Sequence, residues 1–569
     1  MSYLREDQVT LFLPFFLYLQ RMKYLIFILV IVFTLGSCRK EKVDPFHEIT
    51  VDSVFVNNQY VANNSTLREV DYTDIVISIK FSESVDTLLF NREKIYITGG
   101  TGPSFTSRFD DKSQRLTVIP EGSAVPFSLY RLIFDQGSNL GGFIYDSYTF
   151  TYRTRLDTTP KFPVISDDSL LTLVQKKTFG YFWDHAHPVS GLSRERYGSG
   201  ETVTSGGSGF GLMAVIVGIE RGFVTREQGF ERLNKIVNFL NRPETDRFHG
   251  AFPHWLNGTT GKVIPFGSND NGGDLVETAF LMQGLITVRE YFKDGTASEK
   301  EMCNSITALW GAVEWNWYRR DGQNILYWHW SPDKGWIINM GISGWNEALI
   351  IYVLAASSPS STIPLAAYTN GWARNGAYPM VNNKTFYGIK LPLGEDYGGP
   401  LFFAHYSFLG LDPRSLEDQY ASYWTQNTSH SRINHAYCKA NPRGYAGYAD
   451  NCWGLTASDI QNGYRASSPT NDLGVIAPTA ALSSFPYTPV ESMKALKYFY
   501  YTLGDKIWGQ YGFYDAFNLT SGWFANSYIA IDQGPIVCMI ENYRTGMLWD
   551  TFMSSEEVKA GLDKLGFTY

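Results

Sequence analysis

The chain has 569 residues, of which 44% are hydrophobic and 18% charged, with a formal net charge of −8 and a pI near 5.7. This length allows two or three domains, and the composition is that of a globular rather than a disordered protein. The negative net charge, without a basic stripe, argues against a nucleic-acid partner. Aromatic residues make up 16%, including 15 Trp and 36 Tyr. Such side chains suit both a large core and stacking on sugars.

A short apolar run near the N-terminus predicts export from the cell. Residues 24–35 (YLIFILVIVFTL) are too few for a transmembrane helix of about 20 residues and are typical of a secretory signal. The run ends in a Leu-Gly-Ser-Cys motif at Cys38 that resembles the bacterial lipoprotein signal. This resemblance implies a signal peptide at residues 1–37, unless the chain starts at Met22, and lipidation of Cys38. Residues 38–46 then form a tether to a bacterial membrane, in the cell envelope. The alternative is an ordinary signal peptide with a chance cysteine.

The next segment, residues 47–155, has an all-β pattern. Alternation of apolar and polar residues, separated by turn signals, predicts roughly seven short strands and a small sandwich. The clearest strands are at 74–81, 93–98, 115–119 and 130–134. The patterns FSESVD, LTVIP and YTFTYRT resemble bacterial Ig-like modules of extracellular proteins, which implies a spacer or docking module. The Pro-rich segment at 156–168 is the predicted linker.

Residues 169–569 are predicted to be mainly helical. Apolar residues recur at helical spacing in ten segments, at 170–182, 210–221, 226–240, 275–292, 300–317, 347–356, 416–423, 490–503, 536–552 and 555–565. Two weaker segments lie near 401–408 and 475–482. About a dozen helices with long loops and no βαβ unit fit an (α/α)6 toroid better than a four-helix bundle. Loops at one end of such a toroid line a cleft.

The first candidate motif is FGSNDNGGDLVETAF at residues 266–280, where a polar loop runs into an apolar helix. It places Asp270, Asp274 and Glu277 within eight residues. On a helix Asp274 and Glu277 share a face, so they could perform acid/base chemistry or bind sugar hydroxyls. The alternative is structural, because Asp at an N-cap with Glu three residues later is also a capping pattern.

The second motif, GISGWNE at residues 341–347, ends in Glu347. We predict that Glu347 lies in the first turn of an apolar helix, close to Trp345. A carboxylate there could be a catalytic acid, or it could simply complement the helix dipole, which contributes about 0.3–1 kcal/mol.

The third motif, YIAIDQGP at residues 528–535, contains Asp532 after an apolar run, where an unpaired acid is costly unless it has a function. Pro535 is predicted at the first helical position. Glu541 and Arg544, three residues apart on the same helix, are predicted to pair and to support the site or the fold.

Motifs of competing chemistries are missing from the sequence. SGGSGFG at 205–211 lacks the Gly-Lys-Ser/Thr of a P-loop, and there is no G-x-S-x-G or HExxH motif. His254, His329 and His405 each stand beside aromatic residues, as hydrogen-bonding groups near sugar or core. The five cysteines show no metal-ligand spacing, so we predict no metal and no cofactor. Two of them, Cys438 and Cys452, could form a disulfide or remain free buried thiols.

Several blocks of the helical region resemble the glycoamylase-like family of bacterial glycoside hydrolases, of the endo-β-1,2-glucanase type (glycoside hydrolase family 144). The blocks are TSGGSGFGLMAVIVGIERGF (204–223), GAFPHW (250–255), NGGDLVETAFLMQGL (271–285), GWNEALIIYVLAASSP (344–359), YGGPLFFAHYSFLGLDPR (397–414) and IDQGPIVCMIENYRTG (531–546). The resemblance implies an (α/α)6 fold, inverting hydrolysis and β-1,2-linked glucose polymers as substrates. It also implies that Asp274, Glu277 and Glu347 are the acids of the site.

These observations together predict a secreted, lipid-anchored glycoside hydrolase acting on β-1,2-glucan or its oligosaccharides. Glu347 is the predicted general acid, Asp532 the base from its position, and Asp274 and Glu277 assist. The predicted sugar-binding residues are Asp270, His254, Trp255, Trp345, His329, His405, Tyr397, Glu541 and Arg544. Three alternatives remain: an enzyme of other linkage, such as an α-glucan hydrolase or a β-glucosyl-transferring relative, a non-catalytic surface glycan-binding lipoprotein, or a lyase.

Overall fold

The computed structural model describes residues 47–100 and 104–569, which divide into two compact units between Asp157 and Thr158. We refer to them as the β unit and the helical unit. The predicted signal peptide, the lipidation site at Cys38 and the tether lie outside the described residues. Among the described helices, none combines the length and the apolarity that crossing a membrane requires.

The β unit contains eleven strands within the described residues: β1 (Val51–Val56), β2 (Gln59–Val61), β3 (Thr66–Val70), β4 (Ile77–Phe81), β5 (Ile95–Thr98), β6 (Phe105–Phe109), β7 (Arg115–Pro120), β8 (Leu129–Phe134), β9 (Ser138–Asn139), β10 (Phe143–Ile144) and β11 (Tyr148–Thr154). One sheet has the strand order β2-β1-β4-β7-β6 and the other β3-β11-β8-β5. Paired strands are antiparallel except β3 and β11, which run parallel.

Alternation of side chains explains why these two sheets share one core. In β4 the residues Ile77, Ile79 and Phe81 are buried, while the residues between them face outward. β8 shows the same alternation, and the rings of Phe81 and Phe134 lie 5.8 Å apart across the core. The expectation of an all-β N-terminal region is therefore confirmed.

The helical unit contains thirteen α-helices: α1 (Asp167–Asp184), α2 (Ser205–Glu220), α3 (Arg226–Asn241), α4 (Leu275–Phe292), α5 (Ala297–Gly311), α6 (Leu349–Ser357), α7 (Tyr423–Ala440), α8 (Pro478–Leu482), α9 (Pro489–Lys497), α10 (Gly504–Ile507), α11 (Ala530–Arg544), α12 (Met547–Phe552) and α13 (Glu556–Leu565). Single 3₁₀ turns at Leu401–Ala404 and Tyr406–Leu409 take the place of the helix expected near 401–408.

Short two-stranded and three-stranded ladders shape the loops between these helices. They are formed by β12 (Thr202–Thr204), β13 (Trp255–Asn257), β14 (Val263–Ile264), β15 (Gly273–Asp274), β16 (His329–Trp330), β17 (Thr385–Phe386), β18 (Ile389–Lys390), β19 (Ala457–Ile460), β20 (Gly463–Ala466), β21 (Trp508–Gly509), β22 (Gly512–Phe513), β23 (Phe517–Asn518) and β24 (Trp523–Phe524). Three of these ladders, β12-β13-β14, β15-β16 and β19-β20, carry side chains of the site described below.

The helices that position the site are buried on almost every face. Nearly all residues of α2, α4, α6 and α11 are buried, as is expected of helices inside a large core. α2 packs against α4 and α11, and α4 packs against α6. α2 and α4 meet at Gly209 and Gly284, where a Cβ atom on either glycine would overlap main-chain atoms of the other helix. Only glycine permits such a close approach.

Several helix boundaries differ from the expected ones. The segment 416–423 is not a helix, and the missed helix α7 begins at its last residue. α7 buries polar side chains such as Gln426 and Asn434, which hydrogen-bond main-chain atoms of Leu393 and Leu455, so its apolar periodicity is weak. The predicted helix 536–552 is two helices, separated at Gly546 with φ +74. Pro535 lies inside α11, not at its first position.

The four cysteines within the described residues, Cys303, Cys438, Cys452 and Cys538, are buried free thiols. Of the two alternatives for Cys438 and Cys452, the structure therefore supports free thiols.

Candidate active site

Two adjoining cavities lie where the N-terminal ends of α4, α6 and α11 approach one another. The larger has a volume of about 480 Å³ and the smaller about 220 Å³, and both are lined by His254, Val276, Glu277 and Glu347. The larger one also has an aromatic wall formed by Trp255, Phe266, Phe280, Phe402, Tyr406 and Tyr464. A volume in this range, with an apolar lining and a few convergent acids, is typical of a small-ligand site.

Asp274 is the N-cap of α4 and also a partner of His254. Its Oδ1 accepts hydrogen bonds from the backbone N–H groups of Val276 (2.9 Å) and Glu277 (3.0 Å). Its Oδ2 lies 3.0 Å from Nδ1 of His254. The structural interpretation of this residue is thus correct, but it accounts for only one of the two carboxylate oxygens.

Glu277 does not complete a capping box. The backbone N–H of Asp274 donates to Phe252 O (2.9 Å), whereas Glu277 Oε2 accepts from Gly206 N–H (2.8 Å) at the start of α2 and from Thr204 Oγ1 (3.3 Å). A Cβ atom at Gly206 would lie 2.5 Å from that oxygen, so glycine is needed there. Burial raises the pKa of Glu277, His254 opposes this shift, and Asp274 adds to it.

His254 lies between these two carboxylates. Its ring stacks on Phe266 with centroids 4.1 Å apart, and its Nε2 lies 3.9 Å from Glu277 Oε1. Burial alone would lower the pKa of His254, but the charges of Glu277, Asp274 and Asp270 raise it to about 9. The imidazole is therefore a cation at neutral pH, and it neutralises part of the negative charge of the site.

Glu347 lines both cavities from the loop before α6. The helix begins at Leu349 with Ala348 as its N-cap, so the prediction that Glu347 lies in the first turn is wrong. Burial raises the pKa of Glu347, its own backbone N–H opposes this shift, and the charges of Glu277 and Asp274 add to it, so that the pKa is about 7. A carboxyl group with such a pKa retains a proton near neutral pH and can donate it to a leaving oxygen.

Asp532 lies behind the cavity wall, in the first turn of α11. It is 1% exposed, and its Oδ1 accepts a hydrogen bond from the hydroxyl of Tyr406 (3.3 Å), which does line the larger cavity. Burial, and then the neighbouring Asp515, raise the pKa of Asp532 well above its usual value. Its role as the base stays a prediction. Because the Tyr406 hydroxyl lies between the cavity and Asp532, a proton from the cavity reaches Asp532 either through this hydroxyl or after Tyr406 has moved aside.

Asp270 and His329 are buried beneath Asp274 and line neither cavity. His329 Nε2 accepts from the backbone N–H of Gly272 (3.0 Å), and burial lowers the pKa of His329, so this ring is neutral. Asp270 Oδ1 lies 3.3 Å from the same nitrogen, and burial together with Asp274 raises the pKa of Asp270 to about 7.

One group within the described residues has the donors for a metal ion, formed by His254, Asp270 and Asp274. Their ligand atoms lie within 4.8 Å of one another. A histidine binds a metal ion only through its neutral imidazole. The carboxylates around His254 instead favour the protonated ring. A metal ion bound by this group would therefore have to displace the proton of His254.

Three further residues that were predicted to bind sugar also line neither cavity. His405 is in the core, where its Nε2 lies 3.0 Å from Ser484 Oγ and burial lowers its pKa to about 3. Trp345 is 4% exposed and packs on Phe408 and Tyr423. Tyr397 packs among other aromatic rings, those of Phe386, Tyr387 and Tyr437.

Glu541 and Arg544 lie toward the other end of α11 and do not pair with each other. Glu541 accepts two hydrogen bonds from Arg221, at 2.7 and 2.8 Å, and one from Gln175 at 3.0 Å. Arg544 instead donates to Asp168 (2.6 Å). About nine residues of helix, or roughly 13 Å at 1.5 Å per residue, separate Asp532 from Glu541, so this network is structural.

Several lining residues were not predicted. Tyr406 follows His405 in the sequence, but a tyrosine among other aromatic residues carries no signal that distinguishes a site from a core. Glu195 and Arg196 come from a loop and Tyr464 from β20, and none of them belongs to a recognisable motif. Trp255, on β13, is the one predicted Trp that lines the larger cavity.

The ion pair of Asp274 and His254 gives a pH-dependent prediction. Asp274→Asn keeps the cap oxygen but removes the charge, so we expect the pKa of His254 to fall from about 9 toward its ordinary value. Because the folded-state pKa is raised, the stabilisation by His254 is complete below pH about 6.5 and is lost as the pH rises through about 9. The variant should lose less stability over this interval.

The measurement is an NMR titration of the histidine ring together with denaturant unfolding at several pH values. Asp270→Asn is the matched control, because Asp270 affects His254 only through space, and its effect on that pKa should be smaller. An unchanged pKa in Asp274→Asn would contradict the ion pair.

Comparison with known proteins shows which proteins this chain resembles. A family model described as "Putative glucoamylase" matches residues 339–556. A solved structure of an endo-β-1,2-glucanase from Chitinophaga pinensis, in complex with sophorotriose and glucose, is 54% identical and superposes with a TM-score of 0.69, covering 71% of this chain and 99% of that one. The crystal structure of a β-1,2-glucanase from Parabacteroides distasonis is 39% identical with a TM-score of 0.69, covering 92% of this chain and 74% of that one.

A curated relative, the exo β-1,2-glucooligosaccharide sophorohydrolase (non-reducing end) of Parabacteroides distasonis, is 47% identical over 421 residues. The match covers 70% of this chain and spans 58% of the length of that relative.

Proposed function

Since the chain belongs to the glycoamylase-like family, with relatives that hydrolyse β-1,2-glucans, we propose that it is a glycoside hydrolase of β-1,2-glucan or its oligosaccharides. The observation that carries this proposal is Glu347, a carboxyl group that retains a proton near neutral pH and lines both cavities. A protonated acid that lies between two adjoining cavities can protonate a glycosidic oxygen whose two sugars occupy one cavity each.

The proposed reaction is a single inverting displacement. Glu347 donates its proton to the glycosidic oxygen while a water molecule attacks the anomeric carbon from the opposite face, and the C–O bond to the leaving sugar breaks. The proton of that water goes to Asp532 by way of the Tyr406 hydroxyl, which already donates to Asp532. Asp274, Glu277 and His254 bind hydroxyls of the reacting sugar. The positive charge of His254 offsets part of the negative charge of the two carboxylates.

We also propose that the helices close into an (α/α)6 toroid. The support is the order of contacts: α2 packs on α4 and α11, α4 on α6, α6 on the turn Tyr406–Leu409, and α8 on α11. These elements alternate in the chain with helices such as α3, α5, α7 and α9, which would form the outer ring.

Product analysis of the purified protein tests the proposed substrate. Sophorose-type oligosaccharides should be shortened, while laminarin-type and starch-type oligosaccharides should remain intact. Cleavage of starch-type chains in place of β-1,2-glucan would indicate another linkage. Binding of β-1,2-glucan without any change in its chain length would indicate a glycan-binding protein, and unsaturated products absorbing in the ultraviolet would indicate a lyase.

We further propose that the protein is lipid-anchored through Cys38 and that the β unit is an Ig-like spacer between anchor and enzyme. The support is the apolar run followed by Leu-Gly-Ser-Cys in the sequence. Cys38→Ala should leave the protein folded and active but should move it from the membrane fraction to the soluble fraction, since several acyl chains are needed for stable anchoring. Fractionation with a matched Ser37→Ala control measures this, and a Cys38→Ala variant that still pellets with membranes would contradict the anchor.

A further inference from the structure

Asp532 faces a second buried acid, Asp515, which lies between β22 and β23. The two side chains are 1% and 2% exposed. They come from separate parts of the chain, and the fold brings their carboxyl groups into hydrogen-bonding contact with each other. Two carboxylates cannot bond to each other without a proton, because ionised carboxylates are acceptors only.

The other hydrogen bonds of the pair leave one oxygen of each acid without a donor. Asp532 Oδ1 accepts from Tyr406, and Asp515 Oδ2 accepts from the backbone N–H of Asp459 (2.6 Å). Asp532 Oδ2 and Asp515 Oδ1 have no donor among the described residues. A buried acceptor without a donor is costly, and one proton between the two carboxyl groups removes both deficits.

The charges around the pair favour the same conclusion. Arg196 is the nearby cation, but it is already engaged by Asp459, at 3.2 Å to both carboxylate oxygens, and by Glu195, at 3.0 Å. Tyr406 and Tyr464 are the other titratable side chains facing the pair. Burial raises the pKa of Tyr406 well above the usual value, and Tyr464, although 45% exposed, is uncharged near neutral pH because a tyrosine ordinarily ionises only at about pH 10. Two ionised acids would therefore add two uncompensated charges. Burial and the charge of Asp459 raise the pKa of Asp515 to about 7.

We propose that Asp515 is a positioning residue that shares one proton with Asp532 and receives it during the reaction. This inference rests on the proposed function, in which Asp532 is the base. When Asp532 Oδ1 takes the proton that comes from water through Tyr406, its Oδ2 passes the shared proton to Asp515. The pair changes from one negative charge to none, and it releases one proton to solvent before the next turnover. Without Asp515, a protonated Asp532 would have nowhere to send its own proton.

Stability as a function of pH tests the shared proton without any activity measurement. A group whose pKa is raised in the folded state stabilises fully below its unfolded pKa, and that stabilisation is lost as the pH rises through the folded pKa. Between pH about 4 and about 7, the unfolding free energy of the wild type should fall as the pH rises, because the folded state holds the shared proton and the unfolded state does not. In Asp515→Asn this fall should be smaller, by the slope that corresponds to about one bound proton. Asn can still accept from Asp459 N–H and donate to Asp532, so the fold should be kept. Asp532→Asn should give the same reduction.

Asp472→Asn is the matched control. Asp472 is 2% exposed, but both of its oxygens have donors, from Tyr448 (2.7 Å), Gly474 (2.9 Å) and Tyr437 (2.9 Å). Its substitution should not flatten the fall in stability with pH. An undiminished slope in Asp515→Asn and Asp532→Asn would overturn the shared proton.

The pH profile of kcat/KM tests the role in the reaction. Removing the like charge lowers the pKa of Asp532, so the acidic limb of Asp515→Asn should move down by about one pH unit or more. At the optimum kcat should fall about tenfold with KM nearly unchanged, a split that a purely structural role would not produce. An unmoved limb, with Asp532→Asn inactive, would overturn the role of Asp515 and leave Asp532 as the base. A fully active Asp532→Asn would instead refute the base assignment in the proposed function.

Discussion

Glu347→Gln is expected to reduce kcat on β-1,2-glucan by at least about 10²-fold, because it removes the proton donor while preserving the shape of the side chain. The loss should be in kcat more than in KM, since an amide can still hydrogen-bond the sugar. Thermal unfolding should be nearly unchanged, because the loop before α6 is held by other contacts, such as Ala348 N–H to Asn346 Oδ1 (2.9 Å).

Two controls make this result specific. Glu227 is in the first turn of α3, so Glu227→Gln removes only an interaction with a helix dipole, and its activity should equal that of the wild type. An aryl glycoside with a good leaving group needs little protonation, so Glu347→Gln should lose much less activity on it. If the variant hydrolyses β-1,2-glucan at the wild-type rate, Glu347 is not the acid.

Arg221→Ala is expected to cost about 3–5 kcal/mol of stability, the largest effect on folding among the changes considered. The cause is the charge left behind: the side chain of Glu541 is 2% exposed, and Arg221 is its cationic partner. Denaturant unfolding measures this cost. The Arg221→Ala variant should remain active at low temperature, because Arg221 contacts Glu541 near the C-terminal end of α11, whereas the cavities lie at its N-terminal end.

A double variant distinguishes an unpaired charge from lost packing. Arg221→Ala/Glu541→Gln should recover part of the stability, since glutamine can still hydrogen-bond Gln175 without carrying a charge. Lys497→Ala is the surface control, because Lys497 and Asp167 are about half exposed, and its cost should stay below about 1 kcal/mol. A double variant no more stable than Arg221→Ala would show that the arginine acts through packing.

The parts of the fold that sequence reasoning predicted well are those with strong local signals. α4 was expected at 275–292 and spans Leu275–Phe292, because an N-cap aspartate precedes a nearly continuous apolar run. α7 was missed because its buried face is polar and hydrogen-bonded, so it lacks the apolar spacing by which helices are predicted. Boundaries such as the start of α11 depend on tertiary packing around Pro535, which local rules place at a helix start.

For the site, acids at loop-to-helix junctions were a useful signal and aromatics were not. Asp274, Glu277 and Glu347 do converge, because the N-terminal ends of buried helices meet there. Trp345 and His405 were misplaced because an aromatic ring or an imidazole suits both a core and a sugar site. The partnership of Asp515 with Asp532 joins residues that only the tertiary structure brings into contact, so no motif reveals it.

The contact of Gly209 with Gly284 has a consequence for how the cleft can change. Glu277 reaches Gly206 across the same pair of helices, so the position of this carboxylate depends on how closely α2 and α4 approach. That spacing is determined by main-chain atoms in direct contact, and no repacking of side chains can make it smaller. Even a methyl group at either glycine acts as a spacer that separates the helices. We therefore expect Gly209→Ala or Gly284→Ala to separate α2 from α4 and to shift Glu277 relative to Gly206, although neither glycine lines a cavity.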